Sequence, residues 1–137
     1  MTDLFLPPDA TSRGTDLRNR SILFAAWLVL ALYFVATHVM WRDEVRAFTL
    51  ALSGDTVLDM LRTIHGEGHP ASWYLLLRAA HTLAPVREVL PAMGAIIGIG
   101  AAAMLAFRAP FGALVVALAI FGEWLAFEYT AVSRNYA

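Results

Sequence analysis

Long apolar runs of membrane-crossing length alternate along this chain with a single mixed, charge-bearing block. Ser21 to Trp41 holds 21 residues without a formal charge. As a helix rising ~1.5 Å per residue, such a run reaches across a hydrocarbon layer of ~30 Å. It is longer than the apolar core of a secretory signal, and it shows no clean small-x-small cleavage site. It therefore reads as an uncleaved helix with Trp41 at the interface. Val89 to Phe107 is a second run, rich in Gly and Ala, and Phe111 to Phe127 is a third. Arg108-Ala109-Pro110 between them reads as a tight turn. The expected organisation is a flexible tail over 1–20, then transmembrane helices over 21–41, 89–107 and 110–127. Between the first two lies a loop over 42–88, and 128–137 starts a second loop. The expected fold class is an all-α integral membrane protein of about three spans, with short amphipathic interfacial helices in its first loop.

Within that loop the apolar residues keep helical spacing although charges return. Val57, Leu58, Leu61 and Ile64 share one face, with Asp55, Asp59 and Arg62 off it, and Asp55 is a candidate N-cap. Asp43 to Leu52 is a similar amphipathic piece. Helices of this kind lie in a membrane surface or pack under a larger assembly. Pro70 to Ala84 is more apolar, but it extends only ~22 Å as a helix and carries Arg78 and His81, so it reads as interfacial or re-entrant. In the second span Gly94 and Gly98 form a G-x-x-x-G pattern, which permits close helix contact.

Composition supports the membrane reading. Of 137 residues, 59% are apolar and only 15% are charged, and mean hydropathy is +0.62. A domain this small cannot hide so much apolar surface from water. A net charge of −1 provides no basic field for nucleic acid. The lack of cysteine removes disulfides, thiolate nucleophiles and zinc-thiolate sites. Every basic residue is Arg, which excludes lysine chemistry and leaves permanent cations suited to phosphate or carboxylate.

Three polar constellations carry candidate chemistry. Trp41-Arg42-Asp43-Glu44 ends the first run, and two adjacent carboxylates beside lipid are costly unless used or paired. They read as a general base or metal ligand, or as interfacial acids paired with Arg42 or Arg46. His65-Gly66-Glu67-Gly68-His69-Pro70 is a glycine-bearing loop that can approach a ligand closely. It suits hydrogen bonding to a polar substrate better than a metal, and its bland reading is a turn leading into the next helix. The third constellation runs from Glu128 to Tyr136. Arg134 between Tyr129 and Tyr136 can hold a lipid phosphate, or the group can be an aromatic and basic interfacial anchor. Glu123, about one turn inside the end of the third run, either snorkels outward or joins the same polar region.

Together these residues resemble the N-terminal part of a bacterial GT-C-type glycosyltransferase of the protein-mannosyltransferase-like kind. That group takes sugars from polyprenyl-phosphate donors. The resemblance rests on His38-Val39-Met40-Trp41-Arg42-Asp43-Glu44, on Glu67-Gly68-His69-Pro70 with the following Ala71 to Leu77, on Ala109-Pro110-Phe111, and on Glu128 to Tyr136. It covers roughly residues 38 to 137 and lies in the order and spacing of these motifs. It implies that Asp43 deprotonates an acceptor hydroxyl, with Glu44 beside it as the second catalytic acid. It implies that Arg134 binds the donor phosphate, with Tyr136 beside it, that Glu128 lines the same cavity, and that Glu67 and His69 shape the donor or acceptor site.

The implied donor is a polyprenyl-phosphate-linked sugar, and the acceptor a glycan, lipid or protein hydroxyl. A divalent metal is compatible with the pattern but not required by it. The Arg residues before the first run and Arg108 favour the cytoplasm for their side, while five Arg in the middle loop pull the other way. The resemblance implies an extracytoplasmic first loop, hence a multi-pass protein of the bacterial inner membrane with its active face outside. Members of the group are several hundred residues long. This chain then corresponds to about the first quarter, and is expected to be inactive alone. Many members also place an acid closer to the terminal Arg than Glu128 lies. A non-enzymatic membrane subunit or transporter fragment is the alternative, motivated by the G-x-x-x-G pattern and the short chain.

Overall fold

The computed structural model describes residues 13–67 and 70–133. The described residues are all-helical, with 74% of them in helix and no strand among them. Among the described residues six α-helices follow one another: α1 (Arg13–Thr37), α2 (Arg42–Ala51), α3 (Val57–Thr63), α4 (Ala71–Leu83), α5 (Val89–Arg108) and α6 (Ala113–Ile120). A π-helical turn over Trp124–Glu128 closes the series.

Helices α1, α5 and α6 form a bundle around Trp27, which is fully buried. Ala31, Ala102 and Ala106 let the helices approach, and Val116 and Ile120 fill the space from α6. The outward faces are apolar too. Ile22, Val29, Leu32 and Tyr33 on α1, Ile96 and Met104 on α5, and Leu114 and Leu118 on α6 are all exposed. Two helices are long and apolar enough to cross a membrane, over Asp16–Thr37 and Val89–Arg108.

The second core lies beside the first. Helices α2, α3 and α4 pack around Met60, Tyr74 and Leu77, and Leu90 joins them from the start of α5. These helices are amphipathic, as the spacing in the loop predicts. Helix α4 adds a polar fastening to the apolar one. The Arg78 guanidinium donates to the carbonyls of Ala51 and Ser53 at 3.2 and 2.9 Å, and to that of Gly54 at 3.0 Å. It thereby satisfies the last carbonyl of α2 and two carbonyls of the turn that follows it.

Four expectations are corrected. The third apolar run is not one helix: α6 stops at Ile120, Phe121–Gly122 bends, and the π-helical turn follows. Eight α-helical residues extend only ~12 Å. Residues 13–20 of the expected tail are helical, because Arg20 is buried and bonded across the bundle. The first helix also ends at Thr37, short of Trp41. The cap of α3 is Thr56 rather than Asp55. The Thr56 hydroxyl accepts from the Asp59 amide at 3.2 Å, and the Asp59 carboxylate accepts from the Thr56 amide at 3.1 Å, which satisfies two end donors reciprocally.

Candidate functional site

Helix α1 ends at Thr37, and His38 to Trp41 carries the chain into α2. Glu44 occupies the third position of α2, where a carboxylate reaches back to the amide before the helix. Its Oε2 accepts from the Trp41 N–H at 2.8 Å and from His38 Nε2 at 2.7 Å. Its Oε1 accepts from the Ser133 N–H at 2.7 Å, across 89 positions of sequence. Glu44 is 1% exposed. A carboxylate so buried is tolerated because these donors replace the water it loses. The carboxylate thus joins the exit of the first helix, the start of the second and the C-terminal segment.

The C-terminal segment reaches Glu44 through a groove made by two glycines. A methyl group at Gly98 would sit 2.3 Å from Thr130 Oγ1 and 2.8 Å from Thr130 Cα. One at Gly94 would sit 2.9 Å from Ser133 Oγ. The G-x-x-x-G pattern therefore makes its close approach within the chain, to the segment Thr130–Ser133, so the contact it permits is taken up internally. The π-helical turn sets the register of that segment. The Tyr129 N–H bonds the Trp124 carbonyl at 2.7 Å, and Thr130 Oγ1 donates to the Leu125 carbonyl at 2.6 Å. Phe127 meets Phe34 and His38 edge-on, with centroids 5.5 and 5.9 Å apart, which seats the turn against the end of α1.

Asp43, one residue before Glu44, lies about 100° around the helix and is exposed. A carboxylate in that position can accept a proton from an incoming hydroxyl. Glu67 is brought to the same helix by a turn at Gly66, whose φ of 95° suits glycine. Its Oε1 accepts from Arg46 Nη2 at 2.6 Å. That bond and the Glu67 charge raise the Arg46 guanidinium above its ordinary range, with a smaller contribution from Asp43. Glu128 ends the π-helical turn and is half-buried. His69, Arg134 and Tyr136 lie outside the described residues.

The two adjacent acids therefore have different surroundings. Glu44, expected beside Asp43 in catalysis, is a buried hub whose two oxygens are both bonded. Asp43 is the acid that faces outward. His38, Arg20 and Arg78 are structural residues that pattern reading did not assign. His38 stood in a motif without a partner. Arg20 looked like one of several flanking cations, and Arg78 like a charge interrupting an apolar stretch. Each needed its distant partner to be visible. Among the described residues no three His, Asp or Glu side chains gather to hold a metal ion. A cleft of roughly 180 Å³ opens between α4, α5 and the π-helical turn, lined by Trp73, the two groove glycines and Tyr129. Compared with known proteins, the chain matches no family model, no curated protein and no solved structure.

Proposed function

We propose that this chain is the N-terminal part of a membrane glycosyltransferase that moves a sugar from a polyprenyl-phosphate donor to an acceptor hydroxyl. One observation carries the reading. The 2.7 Å bond from the Ser133 N–H to Glu44 joins the segment that leads into Arg134 to the helix turn that bears Asp43. The reaction needs a base for the acceptor and a cation for the departing phosphate. In this reading the acceptor oxygen attacks the anomeric carbon and Asp43 takes its proton. The bond from that carbon to the phosphate oxygen breaks through an oxocarbenium-like state. The resemblance gives Arg134 the phosphate as it leaves, and gives Tyr136, Glu128, Glu67 and His69 supporting roles in donor and acceptor binding.

The membrane setting belongs to the same proposal. The exposed apolar faces of α1, α5 and α6 support burial of the bundle in lipid. Helices α1 and α5 are the first two crossings. The third is α6 continued by the π-helical turn, a bent crossing whose irregular backbone packs against α1 and α5. The Asp43 loop and the C-terminal segment then share the outer face of the bacterial inner membrane, and the Arg20 end faces the cytoplasm.

Two measurements test this. The chain has no cysteine, so Asp55→Cys and Asn135→Cys can each be labelled with an impermeant maleimide on intact cells. Both are expected to react from outside; labelling of one and protection of the other would end the proposal. In the longest reading frame containing residues 1–137, Asp43→Asn is expected to abolish transfer, and near wild-type turnover would remove Asp43 from the chemistry.

A further inference from the structure

Glu44 accepts from three chain segments at once, and only one of those bonds is local. A helix needs the bond to Trp41 to satisfy its first turn. It does not need His38, and it does not need Ser133, which arrives from the far end of the described chain. Ser133 is itself buried, and its Oγ has no hydrogen-bond partner. The polar tie of this residue to α2 is therefore its backbone N–H. The glycine groove positions the segment from one side by shape, and Glu44 fixes its end by charge. We infer that Glu44 is a positioning residue: its carboxylate docks the segment ending at Ser133 onto the first turn of the helix that carries Asp43. The inference deepens the glycosyltransferase reading and rests on it for the kinetic consequence, though not for the docking itself.

Substitution chemistry separates this role from catalysis. A glutamine at position 44 keeps the shape but replaces one oxygen by a donor. That amide nitrogen must face either the Trp41 N–H or the Ser133 N–H, so one donor always loses its acceptor. An aspartate keeps the charge but is one methylene short of reaching all three donors. A proline at position 133 deletes the same bond from the other side, because it has no N–H.

Amide hydrogen exchange of the 137-residue chain in detergent reads the docking directly. The Ser133 amide is expected to exchange slowly in the wild type and about tenfold faster or more in Glu44→Ala, which leaves it no carboxylate in any orientation, as for loss of one charge-assisted bond. Amides inside α5, such as that of Ala102, should keep their protection. In the transfer-competent frame, Glu44→Ala and Ser133→Pro should both raise the KM for the polyprenyl-phosphate sugar by about the same factor, with the acceptor KM unchanged. Asp43→Asn should instead stop turnover and leave Ser133 protected. Unchanged Ser133 exchange in Glu44→Ala would overturn the inference, as would loss of α5 protection in both Glu44→Ala and Ser133→Pro. A fall in kcat at constant donor KM would also overturn it, because it would move Glu44 into the chemical step. Should no transfer be found in any frame, the enzymatic reading fails while the exchange result still decides whether Glu44 docks the segment.

Discussion

The bundle is fastened at its two ends by buried side chains of opposite charge, and the two fastenings work differently. At one end Arg20 donates to the carbonyls of Ala106 and Ala109, each at 3.1 Å, and to that of Phe111, while its Nε meets Asp16 at 2.6 Å. It closes the C-terminus of α5 and the turn into α6 from the side of α1. At the other end Glu44 accepts from His38, Trp41 and Ser133. An arginine is a permanent cation, and its planar fork satisfies several carbonyls together. A glutamate is a compact acceptor that gathers amides from separate segments. The cation locks a turn between sequential helices, whereas the anion holds together pieces distant in sequence. The first is a structural clasp, and the second sits where the proposed chemistry happens.

The largest test of that contrast is Arg20→Ala. It orphans three carbonyls and strips Asp16 of its partner, and is expected to cost about 3 kcal/mol and lower the melting temperature in detergent. Transfer measured below that temperature should be affected little, unlike the Glu44 variants. Next is Gly98→Ala, which forces a methyl into the Thr130 backbone and should cost about 1–3 kcal/mol through overpacking. It should disturb the Glu44 end and raise Ser133 exchange while leaving the Arg20 end intact. Gly94→Ala meets mainly the Ser133 hydroxyl and should cost less.

A smaller effect is expected from Thr56→Ala, which removes the cap of α3 and should cost about 1 kcal/mol. Thr56 also holds the Asp59 carboxyl below its ordinary range, through its hydroxyl and then its N–H. A depressed carboxyl stabilises the fold above its unfolded value, near ~3.9, and that stability is lost as pH falls through the lower folded value. Acid melts should therefore show an Asp59 contribution below about pH 4 that is smaller in Thr56→Ala, which keeps only the backbone N–H bond. Arg46→Ala should have the smallest effect on stability, because its pair with Glu67 is solvent-exposed and salt-screened. Melting curves at high salt should superimpose on the wild type.

Much of the helical layout was legible from pattern alone. The long apolar helix α5, the amphipathic helices α2 and α3 and the helix after Pro70 follow from apolar spacing, which is a local property. The third run misled because composition reports apolarity and length, not continuity. Gly122 and Glu123 weaken the run at that point, but composition does not say that the helix bends there and widens into a π-helical turn. Adjacent Asp43 and Glu44 looked equivalent for a related reason. Neighbours on a helix point about 100° apart, so one turns inward and the other outward, and the choice depends on what packs above them.

Apolar periodicity and charge placement were enough to indicate an all-helical chain with two helices of membrane-crossing length, because each is a property of neighbouring residues. Which acid is buried, where the two glycines make their close approach, and how Ser133 comes to lie on Glu44 depend on segments some 90 residues apart in the chain. Such contacts form only when packing brings both partners to one place, since a buried carboxylate is stable only where donors from the rest of the fold converge on it.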